Sequence, residues 1–362
     1  MISRRGIVVL IFALFSSRKA TSKEIKRPLR LNENKEFRIV QFADMHFGEG
    51  EDVVWGPVQD RISLNVMDRV IETENENRTY PLDLAVLSGD QLTGLNIDNN
   101  ATAYWFEILN ELRRHNLPHT AILGNHDAEP YSAHGGGSNQ SAPGAKTNRT
   151  ALLTFDVADP LSYSKVGPES LRPAVSVYVR NVLGHETDKA ALQLVHLDSG
   201  GGGMIEEVYP AQIAWINATV VRDVPALVFV HIPFAEFADA LRKDKGDACF
   251  GDHDDGITPT VTNTGLFEAL DDLGTVKAVF VGHDHLNDFC CRYGRRSSMS
   301  LCFGRHSGAG GYGSATYPLG ARVIEISTIA NESVSIRTHI RLANGTIIHP
   351  GQLFPTFHFD SQ

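Results

Sequence analysis

Five apolar runs in this 362-residue chain each stop at a short cluster of residues able to ligate a metal ion. The clusters are Asp44-Met45-His46, Gly89-Asp90, Gly124-Asn125-His126-Asp127, His231 and Gly282-His283-Asp284-His285. Taken alone, a Gly-Asp after a strand is a turn, and a histidine at a strand end is a hydrogen-bonded core residue. Five such endings in one chain, all carrying Asp, Asn or His, point instead to one shared pocket. Asp44 and His46 lie two residues apart, so a strand end entering a loop turns both toward the same ion. Asp90 has the character of a bridge, since one carboxylate gives an oxygen to each of two cations at the roughly 3.5–4 Å separation that two-metal hydrolysis uses. Asn125 offers a carbonyl oxygen, and His231, His283 and His285 offer imidazole nitrogen. Mixed nitrogen and oxygen ligands without thiolate suit Fe, Zn or Mn and do not choose among them.

The runs themselves have the look of buried parallel strands, which read as continuous Val/Ile/Leu/Phe segments and bind ligands beyond their carboxyl ends. Phe37–Ala43, Leu82–Leu87, Thr120–Leu123, Ala226–His231 and Lys277–Val281 are of this kind. Apolar residues at helical spacing in Asp60–Glu72, and a second helix over Thr102–Arg114, give the order β, α, β, α, β of an α/β sheet. Further strands are predicted over Val175–Arg180 and Ala191–Asp198, and helices over Gln212–Val221 and Pro259–Leu273. Strands beginning near Ser300, Ala321 and Ser333 complete a second sheet. Tyr131–Thr150 is rich in Gly, Ser, Asn and Pro without an apolar period, and reads as a long loop beside the Asn125 motif, either a lid or a disordered connection. Because Asp44 and His285 must meet, residues 37–345 form one domain, preceded by a flexible polar arm at 21–36 and followed by a tail at 346–362.

Met1–Arg5 is charged and Gly6–Phe15 is apolar, which matches a secretory signal within residues 1–20. The apolar stretch is shorter than the roughly 20 residues a spanning helix needs, so no stable membrane anchor is expected. Cleavage near Ser16 or Ser17 and cleavage after Ala20 both fit. Seven Asn-x-Ser/Thr sequons, at Asn77, Asn100, Asn139, Asn148, Asn217, Asn331 and Asn344, favour a glycoprotein that is secreted or held in an endomembrane or vacuolar lumen. There the four cysteines pair: Cys290 with Cys302 across a hairpin at Gly294 and Cys249 with Cys291 is the preferred set, with the swapped partners left open. Net charge is −10 and no stretch gathers Lys and Arg into a stripe, which argues against nucleic acid as partner. Bound divalent cations offset that charge where an anionic substrate would sit.

In their order along the chain the five motifs resemble the calcineurin-like metallophosphoesterases, from about Phe37 to Val323. His231-Ile232-Pro233, Gly282–Cys290 and the glycine-rich Gly308–Gly313 also resemble small purple-acid-phosphatase-related phosphatases of plants and fungi. The resemblance implies a four-layer α/β/β/α sandwich of two mixed sheets flanked by helices, with a binuclear metal site at strand C-terminal ends. It implies two divalent or mixed-valence ions, one held by Asp44, His46, Asp90 and His285, the other by Asp90, Asn125, His231 and His283. His126 is then a catalytic non-ligand that stabilises the phosphate or protonates the departing oxygen, with Asp127 orienting it. Purple acid phosphatases carry a tyrosine ligand three residues beyond the bridging aspartate and a glycine in the first motif. Here those places are Thr93 and His46, so no tyrosinate charge-transfer colour is expected.

The implied reaction is hydrolysis of a phosphate monoester by a metal-bridging hydroxide, without a phospho-enzyme, on a phosphorylated small molecule or a phosphopeptide. A phosphodiesterase with the same ligands is the alternative, and would show an open groove in place of a narrow pocket. A non-catalytic secreted metal-binding protein that retains the fold is a third reading; its mark is ligand loss, and no ligand position is lost. The sequence does not indicate an oligomeric state.

Other signals carry less. Gly308–Gly313 fits G-x-G-x-x-G, but Pro318 and Gly320 follow where the dinucleotide motif needs a helix, so it reads as a flexible pocket wall. His115 and His119 read as surface histidines because Pro118 ends the helix between them. Asp252–Asp255 reads as a solvated loop. Glu236, Asp288, Arg305 and His306 lie near the motifs and are candidates for substrate contact, Arg305 foremost because guanidinium binds phosphate bidentately.

Overall fold

The computed structural model describes residues 26–76, 78–97, 100–128, 148–243, 248–294, 299–328 and 334–354. The signal at 1–20, the arm up to residue 25, nearly all of the loop at 131–150, three of the sequons (Asn77, Asn139 and Asn331) and the chain from 355 onward lie outside these residues. The first half runs β1 (Glu36–Phe42), α1 (Gly56–Asn75), β2 (Leu84–Ser88), α2 (Ala101–Arg114), β3 (His119–Ile122), α3 (Arg149–Val157), β4 (Tyr178–Leu183) and β5 (Ala190–His196). There follow α4 (Pro210–Thr219), β6 (Ala226–Phe229), α5 (Glu236–Lys243), β7 (Cys249–Phe250), α6 (Leu266–Leu273) and β8 (Val276–Val281). Last come β9 (Cys290–Tyr293), β10 (Met299–Phe303), β11 (Gly320–Thr328), β12 (Val334–Leu342) and β13 (Ile347–Phe354).

Two mixed sheets result. One has the order β13-β12-β11-β1-β2-β3 and the other β4-β5-β6-β8-β10-β9-β7. In the first, β1, β2 and β3 pair in parallel, and in the second β5, β6, β8 and β10 do so. Side chains alternate along a strand, so each sheet offers two apolar faces. Ile39, Leu84, Val86 and Ile122 of the first sheet pack with Leu192, Leu194, Leu227, Phe229 and Phe280 of the second, forming the inner core. Their neighbours Val40, Phe42, Ala85 and Leu87 point the other way, onto Val66, Met67, Trp105 and Ile108 of α1 and α2. Val195, Val228 and Val279 face outward onto Ile216 of α4, Phe237 of α5 and Phe267 of α6. Three apolar layers therefore separate helices, sheet, sheet and helices, the arrangement the resemblance implied.

Several elements differ from the sequence reading. Strands β11 and β12 do not complete the second sheet: β11 pairs antiparallel with β1 over Glu36↔Ser327 to Gln41↔Arg322, extending the first sheet on its far edge. The tail placed at 346–362 begins with β13, which pairs with β12. The arm placed at 21–36 is packed from residue 26 onward, with Leu29 and Leu31 buried and backbone bonds of 2.9 Å joining both to Leu183. The helix expected over Pro259–Leu273 is confined to α6, because Gly265 and Gly274 bound it with φ of 82° and 72°. The cysteines pair as Cys249–Cys291 and Cys290–Cys302, joining β7, β9 and β10 at neighbouring register positions.

The last turn of α1 is tied to the first sheet by a buried carboxylate. Glu74 accepts from His339 Nε2 at 2.9 Å, from Arg341 Nε at 2.6 Å and from the Arg38 guanidinium. Burial pushes its carboxyl up, but His339 and Arg341 outweigh that and bring it down to about 2. A group whose folded value lies below its unfolded one stabilises above the unfolded value, 4.5 for a glutamate. That stability is lost as pH falls toward about 2. Glu74→Gln should therefore destabilise the fold by roughly 3 kcal/mol near neutral pH, with the gap to wild type closing in acid. Urea unfolding of both proteins across pH checks this; a gap unchanged by pH contradicts it.

Candidate metal centre

All five motifs arrive at one end of the two sheets. Asp44 and His46 follow β1, Asp90 follows β2, Asn125 and His126 follow β3, His231 follows β6, and His283 and His285 follow β8. The strands that carry them are those that pair in parallel, so their carboxyl ends point the same way. Gln41 Nε2 ties the sheets just below, donating to Ser88 Oγ and to the Val281 carbonyl, each at 3.0 Å. Asp44, His46, Asp90 and His283 have φ of 57°, 50°, 51° and 81°, a region that non-glycine residues rarely occupy. Such strain persists where the surroundings impose it, and its gathering at these residues marks a functional site.

Donor atoms fall into two groups. Ligand atoms of Asp44, His46 and His285 lie within 4.8 Å of one another, as do those of Asp90, His231 and His283. Asp90 stands between: its Oδ2 is 3.0 Å from His231 Nε2 and 3.8 Å from His46 Nε2. Asn125 Oδ1 joins the second group, 3.1 Å from both His231 Nε2 and His283 Nδ1. The structure thus brings together all seven ligand positions read from the sequence, and His126 lines the same cavity.

Whether these residues fit a cation is decided by where the ring protons go. His231 Nδ1 donates to the Ser88 carbonyl at 3.0 Å and His285 Nδ1 to the Tyr312 carbonyl at 2.5 Å. In the neutral rings each Nε2 is then a lone pair aimed inward. His285 Nε2 faces His46 Nε2 at 3.2 Å, and His231 Nε2 faces Asn125 Oδ1 and Asp90 Oδ2, both acceptors. A bound cation would take the lone pairs of all these atoms at once; without one, ring protons on His231 and His46 must fill the same gaps. Thr93 Oγ1, where purple acid phosphatases carry tyrosine, lies 2.9 Å from His46 Nδ1 and fixes that ring.

Electrostatics agree with a site built for added positive charge. Burial would raise the Asp90 carboxyl, yet the imidazoles of His231 and His126 outweigh it and hold it well below the usual carboxylate range. Burial would lower His231, but Asp90 brings it up to about 9, so without a cation the ring itself carries the positive charge that a bound ion would replace. Burial pushes Asp44 up to about 7 and, helped by His231, pushes His283 down to about 3.

Backbone bonds set the second layer. His283 N donates to Asp44 Oδ1 at 2.9 Å, joining the two sheets, and His126 N donates to Asp90 Oδ1 at 2.7 Å. Asp127, which the resemblance implied would orient His126, is engaged with the backbone. Its carboxylate accepts from the amides of Gly124 at 2.7 Å, Leu92 at 2.9 Å and Asp90 at 3.0 Å, pinning the β2 and β3 loops together. Gly124 is there for want of room: a Cβ would lie 2.2 Å from Asp90 Oδ1.

Other candidates fall outside the cavity. Arg305 is buried, donates to Asp288 Oδ2 at 2.6 Å and stacks on Tyr317. His306 is buried beneath His285, Glu236 accepts from Asn263, and none of the four lines the cavity. His119 is not on the surface but buried against Asp156 at 3.0 Å. The glycine-rich stretch does supply wall, through Gly311 and Tyr312. Sequence reasoning missed the remaining wall: Glu49, Glu206 and Thr258, single polar residues in loops with no motif around them.

Two mixed sheets between helices, presenting an oxygen-and-nitrogen donor cluster at the ends of parallel strands, define a metal-binding α/β sandwich. The chain belongs to the calcineurin-like phosphoesterase family, whose profile matches residues 37–287. It is 29% identical over 336 residues to probable inactive purple acid phosphatase 29 of Arabidopsis thaliana, covering 83% of this chain and 79% of that one. It is 28% identical to probable inactive purple acid phosphatase 28 of the same plant, covering 82% and 77%. Phosphatase DCR2 of Saccharomyces cerevisiae is 26% identical over 304 residues, 76% of this chain and 49% of the yeast protein.

Asp90→Asn should remove at least one equivalent of metal from the purified protein, while Asp254→Asn, in an exposed loop, should remove none. Elemental analysis of both reads the difference; equal metal in the Asp90 variant contradicts the assignment.

Proposed function

We propose that the protein is a phosphatase that hydrolyses phosphate monoesters at a pair of divalent cations, Fe, Zn or Mn. The observation that carries this reading is the pair of donor groups on either side of Asp90 in one cavity. Asp44, His46, Asp90 and His285 would hold one cation, and Asp90, Asn125, His231 and His283 the other. When bound, the pair supplies Lewis acidity, acidifying a water and neutralising charge on the phosphate as the ester breaks.

The chain's own residues position the rest. The His126 amide is held by Asp90, which fixes the backbone from which the ring projects to the cavity wall. Its ring lies 5.0 Å from that of His46, edge to face, beside the donor groups and outside them. There it hydrogen-bonds a phosphate oxygen or the ester oxygen that departs. A cavity of about 340 Å³ has room for a terminal phosphate and its alcohol, and relatives named as phosphatases support the monoester reading. Three relatives in Arabidopsis bear "probable inactive" in their names. In this chain every donor position is occupied by a donor and all converge, which supports activity.

The setting we infer is secreted or lumenal. Paired cysteines support it, as do four sequon asparagines, Asn100, Asn148, Asn217 and Asn344, that are exposed. Asn148 also caps α3, accepting from Ala151 N through Oδ1, a role that glycosylation of its amide nitrogen leaves intact. Among the described residues no helix is long and apolar enough to cross a membrane.

His126→Ala should lower kcat on a phosphomonoester by about a hundredfold or more while metal content stays near that of wild type. Steady-state kinetics with parallel metal analysis tests the role, and loss of both ions contradicts it. A panel of monoesters and diesters tests the class: faster turnover of diesters overturns the monoester reading.

A further inference from the structure

We propose that the cavity selects phosphomonoesters whose alcohol carries a protonated amine near the ester, and disfavours substrates bearing a second anionic group. The inference rests on the phosphatase reading above and names its substrate class. Beyond the donor groups and His126, the cavity wall includes the carboxyl side chains of Glu49, Glu206 and Asp284. Glu206 is only 6% exposed. It lies on the loop after β5, whose glycines pack tightly on the Asn125 turn: a Cβ at Gly201 would be 2.2 Å from Asn125 Cα. Glu49 Oε2 accepts the Gly311 amide at 2.6 Å, and Asp284 Oδ2 accepts the Thr258 amide at 3.0 Å. These bonds hold Glu49 and Asp284 in place at the wall.

Among the described residues lining the cavity none is lysine or arginine. Two buried arginines near the site are engaged by other carboxylates. Arg149 pairs with Asp198 and Arg305 with Asp288, each at 2.6 Å. A pair of divalent cations held by Asp44 and Asp90 keeps enough charge for one phosphate dianion and no surplus for another anion. A carboxylate or second phosphate on the alcohol then meets the wall carboxylates in a recess partly shielded from water, where like charges repel most. A protonated amine is drawn to the same groups. The ring of Tyr312, half exposed on the cavity wall, stacks on His285 and bounds the recess on that side.

Three phosphonates that cannot be hydrolysed test this by binding alone: aminoethylphosphonate, propylphosphonate and phosphonopropionate, alike in the phosphonate and different in the charge of the tail. Calorimetry on the metal-loaded protein should rank their affinities in that order, with about tenfold or more between first and last. Glu206→Gln should shrink that ratio to about threefold or less. Equal affinities for the three ligands in the wild-type protein overturn the selectivity, and this comparison needs no variant to fold. A ratio undiminished in both Glu206→Gln and Glu49→Gln removes the wall carboxylates as its cause. Failure of all three to bind is a different result, and contradicts the phosphate-binding reading itself.

Discussion

Ligand atoms crowd around the Asp90 carboxylate from both sheets, with Nε2 of His231 at 3.0 Å and of His46 at 3.8 Å and Asn125 Oδ1 just beyond. Side chains with lone pairs do not pack this way unless positive charge lies between them, because buried acceptors without donors are costly. The strained backbone at Asp44, His46, Asp90 and His283 is the other face of the same constraint. Each of these residues adopts a conformation that its chain segment resists, so that its side chain turns inward. The carboxylate of Asp127, given over to three backbone amides, keeps the β2 and β3 loops from relaxing out of that geometry.

The sandwich answers the same need. Parallel strands from two sheets end side by side only if the sheets pack face to face, and the inner core of Ile39, Val86, Phe229 and Phe280 fixes that packing. Gln41, reaching from β1 to the carbonyl of Val281 at the end of β8, and the His283 amide on Asp44 join the sheets at the site itself. Helices on both outer faces leave the carboxyl ends of the strands as the place for ligands. The family profile spans residues 37–287 and so takes in all seven donors, while the cavity wall of Glu49, Glu206 and Tyr312 is where we propose that the substrate's alcohol is selected.

Much of this is legible in the sequence, for a physical reason. Strands buried on both faces are written as unbroken apolar runs, and ligands at their ends stand out against them, so β1, β2, β3, β6, β8 and all seven donors can be read directly. What cannot be read depends on pairing over long distances. Nothing local in Gly320–Thr328 says that it lies beside Glu36–Phe42 and not beside β10, and β13 is half exposed with a proline inside it, so it reads as a tail. Arg305 is attractive as a phosphate ligand by type alone, and only packing shows it spent on Asp288 and Tyr317. Glu206 leaves no trace in sequence because a lone acidic residue in a loop is ordinary until a fold places it in a wall.

The most direct measurement of the central claim is anomalous diffraction from crystals of the purified protein at the absorption edge of its metal. Two peaks are predicted, one on each side of the Asp90 carboxylate. One should touch Asp44, His46 and His285, and the other Asn125, His231 and His283. A single peak, or peaks at the separate cluster of Asp252, Asp288 and His349 with none at Asp90, contradicts the account.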